Sequence, residues 1–308
     1  MNLYKTLQEH RDQGPYPMHM PGHKRSPYFH MDNPYGLDVT EVEGLDNLHQ
    51  PEGVIRDLEA QISKIYQSLE SYLLVNGSTC GILAAISAAC QRGDKILVGR
   101  NCHRSVYHAI YLMGLRPVYL LPEMDEETGI GLGISPKKVR GALEQDPDVA
   151  CIFLTSPTYE GVVSDIKSIS DLAHERGIPL LVDQAHGAHF PWMSQMESAG
   201  SLGADMVVES LHKTLPSLTQ TALLHTYSRR VEADRIRRYL DIYQTSSPSY
   251  VLMASVALCM DYLEEKGGED FALYEKNLED FREGAKEWSH LRLWTREDMD
   301  PSKLVIYT

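Results

Sequence analysis

Short apolar runs recur through the middle of this chain, and amphipathic stretches separate them. Seven runs read as strands: YLLV (72–75), KILVG (95–99), PVYLL (117–121), ACIFL (150–154), PLLVD (179–183), DMVV (205–208) and ALLH (222–225). Between most of them lie segments such as TCGILAAISAACQRG and SDIKSISDLAHERG, whose apolar residues recur at helical spacing. Strands alternating with helices predict a mostly parallel sheet covered on both faces. In such a sheet, ligands bind at the carboxyl ends of the strands.

The flanks have a different texture. Residues 1–50 are rich in Pro, Gly, His and Asn (GPYPMHMPGHKRSPYFHMDNPYG) and predict an extended arm with tight turns. At Pro51 the helical period begins, in PEGVIRDLEAQISKIYQSL, with Pro51 suited to a helix start. A further helical stretch is expected from about Ser249 to Trp288, and the terminal SKLVIYT reads as the opening strand of another unit. The expected organisation is therefore an arm (1–50), a large domain (51–248), and a linking helix leading into a C-terminal domain that is cut short (249–308).

Composition narrows the picture. The chain has 308 residues, 43% of them hydrophobic, enough for a sizeable core. No run approaches the ~18 apolar residues of a membrane span, and MNLYKTLQEHRDQG lacks the apolar centre of a secretory signal, so a cytoplasmic protein is expected. The net charge of −14, without a basic stripe, argues against nucleic acid as a partner. The five cysteines are odd in number and lack C-x₂-C spacing, which fits reduced, mostly buried thiols.

The strand ends carry the chemistry. After the first strand, VNGSTCG offers Gly77 for a tight turn and Ser78 and Thr79 at a helix start, a seat for phosphate or simply a cap. His103 follows the second strand, and TSPTYEG, with Tyr159 and Glu160, follows the fourth. Asp183 closes a wholly apolar run, where a carboxylate needs a specific partner or water. Ala185, His186 and His189 come next. The two histidines have H-x-x-H spacing, but no zinc signature surrounds them and no metal is expected. Lys213 follows the sixth strand, in ESLHKTLPSLTQTALLH.

Singly, each of these residues has a plain structural reading. Together they suit pyridoxal phosphate. Its aldehyde needs a lysine, its pyridine nitrogen needs a carboxylate, and its phosphate needs hydroxyls at a helix N-terminus. On this reading Ser210 and His212 reach the phosphate while Lys213 bonds the aldehyde.

The stretches HMPGHK, LDNLHQPEGVI, VNGST, NCHRSVYHA, SPTYEG, DQAHGAH, SLHKTL and QTSSPSY, in order from residue 19 to 250, resemble the ornithine/lysine/arginine decarboxylases, and most closely their short, arginine-type branch. The resemblance implies the fold type I large domain, aspartate-aminotransferase-like: a three-layer α/β/α structure on a mostly parallel seven-stranded sheet. It implies pyridoxal phosphate as cofactor and decarboxylation of a basic amino acid, arginine first, then lysine or ornithine, in the chemistry of polyamine biosynthesis. Lys213, Asp183 and His103 become the catalytic set, with His103 and Ala185 on the two faces of the ring. Gly77, Ser78, Thr79, His186, Ser210 and His212 join the cofactor contacts. Thr245 and Ser246 are expected to act on a neighbouring subunit's cofactor in a homodimer or larger homo-oligomer. His23 and Lys24 are expected near the entrance, and Glu41 and Glu160 are candidates for the substrate's distal charge.

Two departures stand out: Ile82 replaces an Asn common in the family, and the chain ends where a small domain is expected. Another reaction of the same cofactor, or a cofactor-binding homologue without turnover, are the competing readings. A nicotinamide site is disfavoured, because GIGLGIS (129–135) follows an acidic loop, not a strand.

Overall fold

A computed structural model describes residues 2–14 and 16–308. Seven strands form one sheet: β1 (Glu70–Leu74), β2 (Lys95–Gly99), β3 (Arg116–Leu120), β4 (Val149–Thr155), β5 (Leu180–Asp183), β6 (Met206–Glu209) and β7 (Ala222–Thr226). Each expected run is a strand, with ends shifted by no more than two residues. The spatial order is β1-β7-β6-β5-β4-β2-β3. β1 to β6 run one way and β7 alone is reversed, antiparallel to both its neighbours. The carboxyl ends of β1, β2, β4, β5 and β6 therefore open on one edge.

The helices are α1 (Leu3–Asp12), α2 (Pro34–Leu37), α3 (Val54–Tyr66), α4 (Gly77–Ala89), α5 (Arg104–Met113), α6 (Pro136–Gln145), α7 (Ile166–Glu175), α8 (Leu211–Thr214), α9 (Ala233–Tyr243) and α10 (Tyr250–Ala285). Strand side chains alternate between two covers. Ile96, Val98, Phe153, Leu181 and Val208 pack in one cluster with α4, α5 and α9. Leu97, Ile152, Leu154, Val182 and Val207 pack in a second, with α6 and α7. A third cluster joins Leu73 and Leu223 to α3 and α10. Burial on both faces is why these strands read as unbroken apolar runs. Each fully buried large side chain contributes about 1.5–3 kcal/mol.

The arm is more ordered than its composition predicts. Asn2 accepts from the backbone N–H of Lys5 at 3.2 Å and caps α1, and Asn33 accepts from that of Tyr35 at 3.1 Å and caps α2. The Pro/Gly-rich composition begins only after α1, whose ten residues bury nothing. At the other end, α10 leads to β8 (Arg292–Trp294) and β9 (Val305–Tyr307), which pair antiparallel. A bridge from Val162 to Met299 ties this segment to the loop after β4. Among the described residues, no helix is long and apolar enough to cross a membrane.

Candidate active site

Because the strands run parallel, residues far apart in sequence meet at their ends. After β1, Gly77 turns the chain at φ +76°, a left-handed conformation that favours glycine. Ser78 and Thr79 then stand in the first turn of α4, where backbone N–H groups lack helical partners. Ser78 is half-buried and Thr79 exposed. The fully buried Ser210, just past β6, donates to Ser78 Oγ at 2.9 Å and joins the two strand ends. His212 sits beside them, with Nδ1–H donating to the Thr221 carbonyl at 2.9 Å. Its Nε2 is then a donor only when the ring is charged, a form that a bound anion favours.

Asp183 ends β5 at 3% exposure. One carboxylate oxygen accepts from the Ala185 N–H at 3.1 Å, and the other has no hydrogen-bond partner among the described residues. Burial raises its pKa, against the pull of Lys213 and His103. Lys213, on α8, is half-buried, and burial lowers its pKa against the pull of Asp183. Its Nζ lies 3.1 Å from His186 Nε2. Burial and the charge of Lys213 push His186 down to about 3, so the ring is neutral and its Nε2 accepts from the amine. Tyr159 meets His186 edge-on at 5.4 Å.

His103 caps α5, with Nδ1 accepting from the Ser105 N–H at 3.3 Å. Its ring is exposed and is close enough to Asp183 and Lys213 to feel both charges. The structure thus groups Lys213, Asp183, His103 and His186, with Ser78, Ser210 and His212 alongside. Thr245 and Ser246 are exposed, and the Thr245 N–H donates to the Asn76 side chain at 3.1 Å, beside the start of α4. Ile82 is buried in the core under α4.

The acidic candidates lie elsewhere. Glu41 is exposed and lines a hollow of about 510 Å³ with Asp46 and Glu52. Asp46 there accepts backbone N–H groups of Gly53 and Ile55 at the start of α3. Glu160 is half-buried in the loop after β4 and forms no ion pair among the described residues.

Several residues at the site carried no clear signal. Gly22, inside PGHK, lies on the lysine-bearing turn: its N–H donates to the His212 carbonyl at 2.7 Å, and a Cβ there would stand 2.7 Å from the Leu215 nitrogen. The arm is thereby strapped across α8. His189 and His186 go to different partners, since His189 turns to Asp300 and Ser302 near the C-terminus. Lys303, in that same turn, places a charge that acts on Lys213. These contacts join segments about 90 or more residues apart, so none of them showed in the local pattern of residues.

A seven-stranded, mostly parallel α/β sheet with a lysine and a buried aspartate on its carboxyl edge is the large-domain architecture of fold type I. A lysine decarboxylase from Francisella novicida shares this fold, with a TM-score of 0.77 at 23% identity over 91% of this chain and 43% of that one. The chain matches the family "Orn/Lys/Arg decarboxylase, major domain" over residues 1–305, and it belongs to that family. It is 44% identical over 270 residues to YaaO of Bacillus subtilis, covering 85% of this chain. It is 36% identical over 273 residues to an arginine decarboxylase of Bacillus subtilis, covering 86%. In both cases it spans 56% of the relative's length.

Proposed function

We propose that this chain forms the cofactor-binding part of a pyridoxal-phosphate-dependent decarboxylase acting on a basic amino acid, arginine first, then lysine or ornithine. The observation that carries the reading is the pairing of Lys213 with a buried Asp183 that keeps one oxygen free. A buried carboxylate with an unused acceptor fits a protonated ring nitrogen. A half-buried amine of lowered pKa fits an aldehyde partner, since only the neutral amine is nucleophilic. The Ser78–Ser210 contact at the start of α4 fits a phosphate.

On this reading Lys213 holds the cofactor aldehyde and Asp183 holds the proton on the pyridine nitrogen. His103 and the small Ala185 flank the ring, while Gly77, Ser78, Thr79, Ser210 and His212 hold the phosphate. When bound, the cofactor supplies an electron sink for the pair left behind as CO₂ departs. His186, neutral and in contact with Lys213 Nζ, accepts a hydrogen bond from that amine and holds it in place. The strap at Gly22 keeps the arm, with His23 and Lys24, over α8. The exposed Thr245 and Ser246 serve a neighbouring copy in a homodimer.

The test is to incubate the purified chain with pyridoxal phosphate, reduce with borohydride and map the label by mass spectrometry. The label is expected on Lys213, and CO₂ release from the basic amino-acid panel is expected from the unreduced chain alone. A label on another lysine, with Lys213 unmodified, overturns the assignment.

A further inference from the structure

Beyond the cofactor set, a second lysine is built into this site from the far end of the chain. The turn 300–303 is held on several sides. Asp300 N–H donates to the Gly161 carbonyl at 2.8 Å, and Val163 N–H to the Asp298 carbonyl at 2.8 Å. Asp300 is 0% exposed, and its carboxylate meets His189 Nε2 at 3.3 Å and Ser302 Oγ at 2.9 Å. Arg282 donates to the carbonyls of Pro301 and Lys303. His189 lies three residues after His186, which touches Lys213, so the turn is latched to the loop that contacts the reactive amine.

The latch aims Lys303. Its stem lies against Gly161, at φ +105°, where a Cβ would come within 2.6 Å of the lysine Cγ. Gly161 is therefore the residue that admits this side chain. The Lys303 ammonium has no hydrogen bond or ion pair among the described residues, because the one nearby carboxylate, Asp300, is spent on His189 and Ser302. Gly161 stands two residues after Tyr159, whose ring meets His186 at 5.4 Å, and His186 Nε2 lies 3.1 Å from Lys213 Nζ; the charge of Lys303 accordingly acts on Lys213, His186 and Lys24. It therefore stands on the amine side of the site. In a chain of net charge −14, the lysines grouped beside the neutral His186 form a local seat for an anion.

Resting on the decarboxylase reading, we propose that Lys303, aimed by the Asp300–His189 latch, receives the α-carboxylate of the amino-acid substrate and so fixes which way round it enters. The substrate's amine must come to the place of Lys213 Nζ, and the carboxylate is bonded to the same carbon as that amine. A cation beside Lys213 is thus within its reach. The distal cation of a basic side chain is repelled from the same spot and directed outward. Once the carboxylate has left as neutral CO₂, this grip ends.

The test compares an amino acid with its decarboxylated amine on the cofactor-loaded full chain, by rapid-mixing absorbance titration of wild type and Lys303→Met. The amino acid is expected to bind roughly 10- to 100-fold more weakly to the variant, with the amine's affinity unchanged. Asp300→Asn, which loosens the latch, is expected to shift the amino acid in the same direction by less. Equal effects on both ligands, or none on either, overturn the role of Lys303. If wild type responds to neither ligand, the decarboxylase reading fails and the inference falls with it. Should Lys303→Met not fold, as judged by circular dichroism, Lys303→Gln takes its place with the same expectations.

Discussion

Asp183 and Glu209 end adjacent strands, both buried, and do opposite jobs. Asp183 pairs across the sheet with Val208, so Glu209, one residue on, points to the other face. On its face Asp183 keeps an oxygen free at the mouth of the site. On the other, Glu209 accepts from the Gln184 amide at 2.5 Å and lies 3.7 Å from His225 Nε2, while Gln184 accepts in turn from the Ala199 N–H at 2.7 Å. One carboxylate opens on the site, and the other joins β6 to the loop after β5 through one oxygen and turns its second, without a hydrogen bond, to His225 in the core. The alternation of a strand, more than residue type or depth, separates the two roles.

That contrast can be broken by substitution. The largest expected effect is Asp183→Ala: turnover of a basic amino acid falls on the order of 10²- to 10⁴-fold, while the unfolding midpoint in urea barely moves, since the variant removes a carboxylate whose burial already raises its pKa. Wild-type turnover in this variant would show that the free oxygen has no catalytic part.

A third buried carboxylate, Glu59, sharpens the comparison through pH. It accepts from the Leu73 N–H at 3.1 Å, and burial pushes it up to about 7. The native state therefore binds this proton more tightly than the unfolded chain. The stabilisation is fully present below the ordinary carboxylate range and is lost as pH rises towards 7, a change on the order of 3 kcal/mol. Glu59→Gln should flatten the dependence of denaturation midpoint on pH between about 4.5 and 7. An unchanged slope would place the titration elsewhere.

The smallest effect is expected at the structural member of the pair. Glu209→Ala leaves the Gln184 amide with only the Gly187 carbonyl at 3.5 Å and should cost about 1–3 kcal/mol in urea unfolding, with cofactor absorbance retained in the folded fraction. Loss of cofactor binding without loss of stability would reverse the assignment of the two carboxylates.

Much of the fold was legible along the chain because its signals are local. Seven apolar runs bounded by polar turns announce strands wherever the sheet is covered on both faces, and the polar residues that end them fall on one edge by parallelism alone. Lys213, Asp183 and His103 were visible for that reason. Helix α1 was not, because a ten-residue helix that buries nothing leaves no core-facing stripe distinct from its surroundings and rests on its Asn2 cap.

Sequence by itself determined the alternation of strand and helix, the polar strand ends, and the residue types offered to a cofactor, since each depends on neighbours within a few positions. Tertiary structure alone decided that the free oxygen of Asp183 opens on the site while that of Glu209 faces His225 in the core, that Gly22 lies on the lysine turn, and that His189 reaches across 113 positions to Ser302. Those pairings depend on chain closure and on which face of a strand a side chain occupies. Neither leaves a mark on the local pattern of residues.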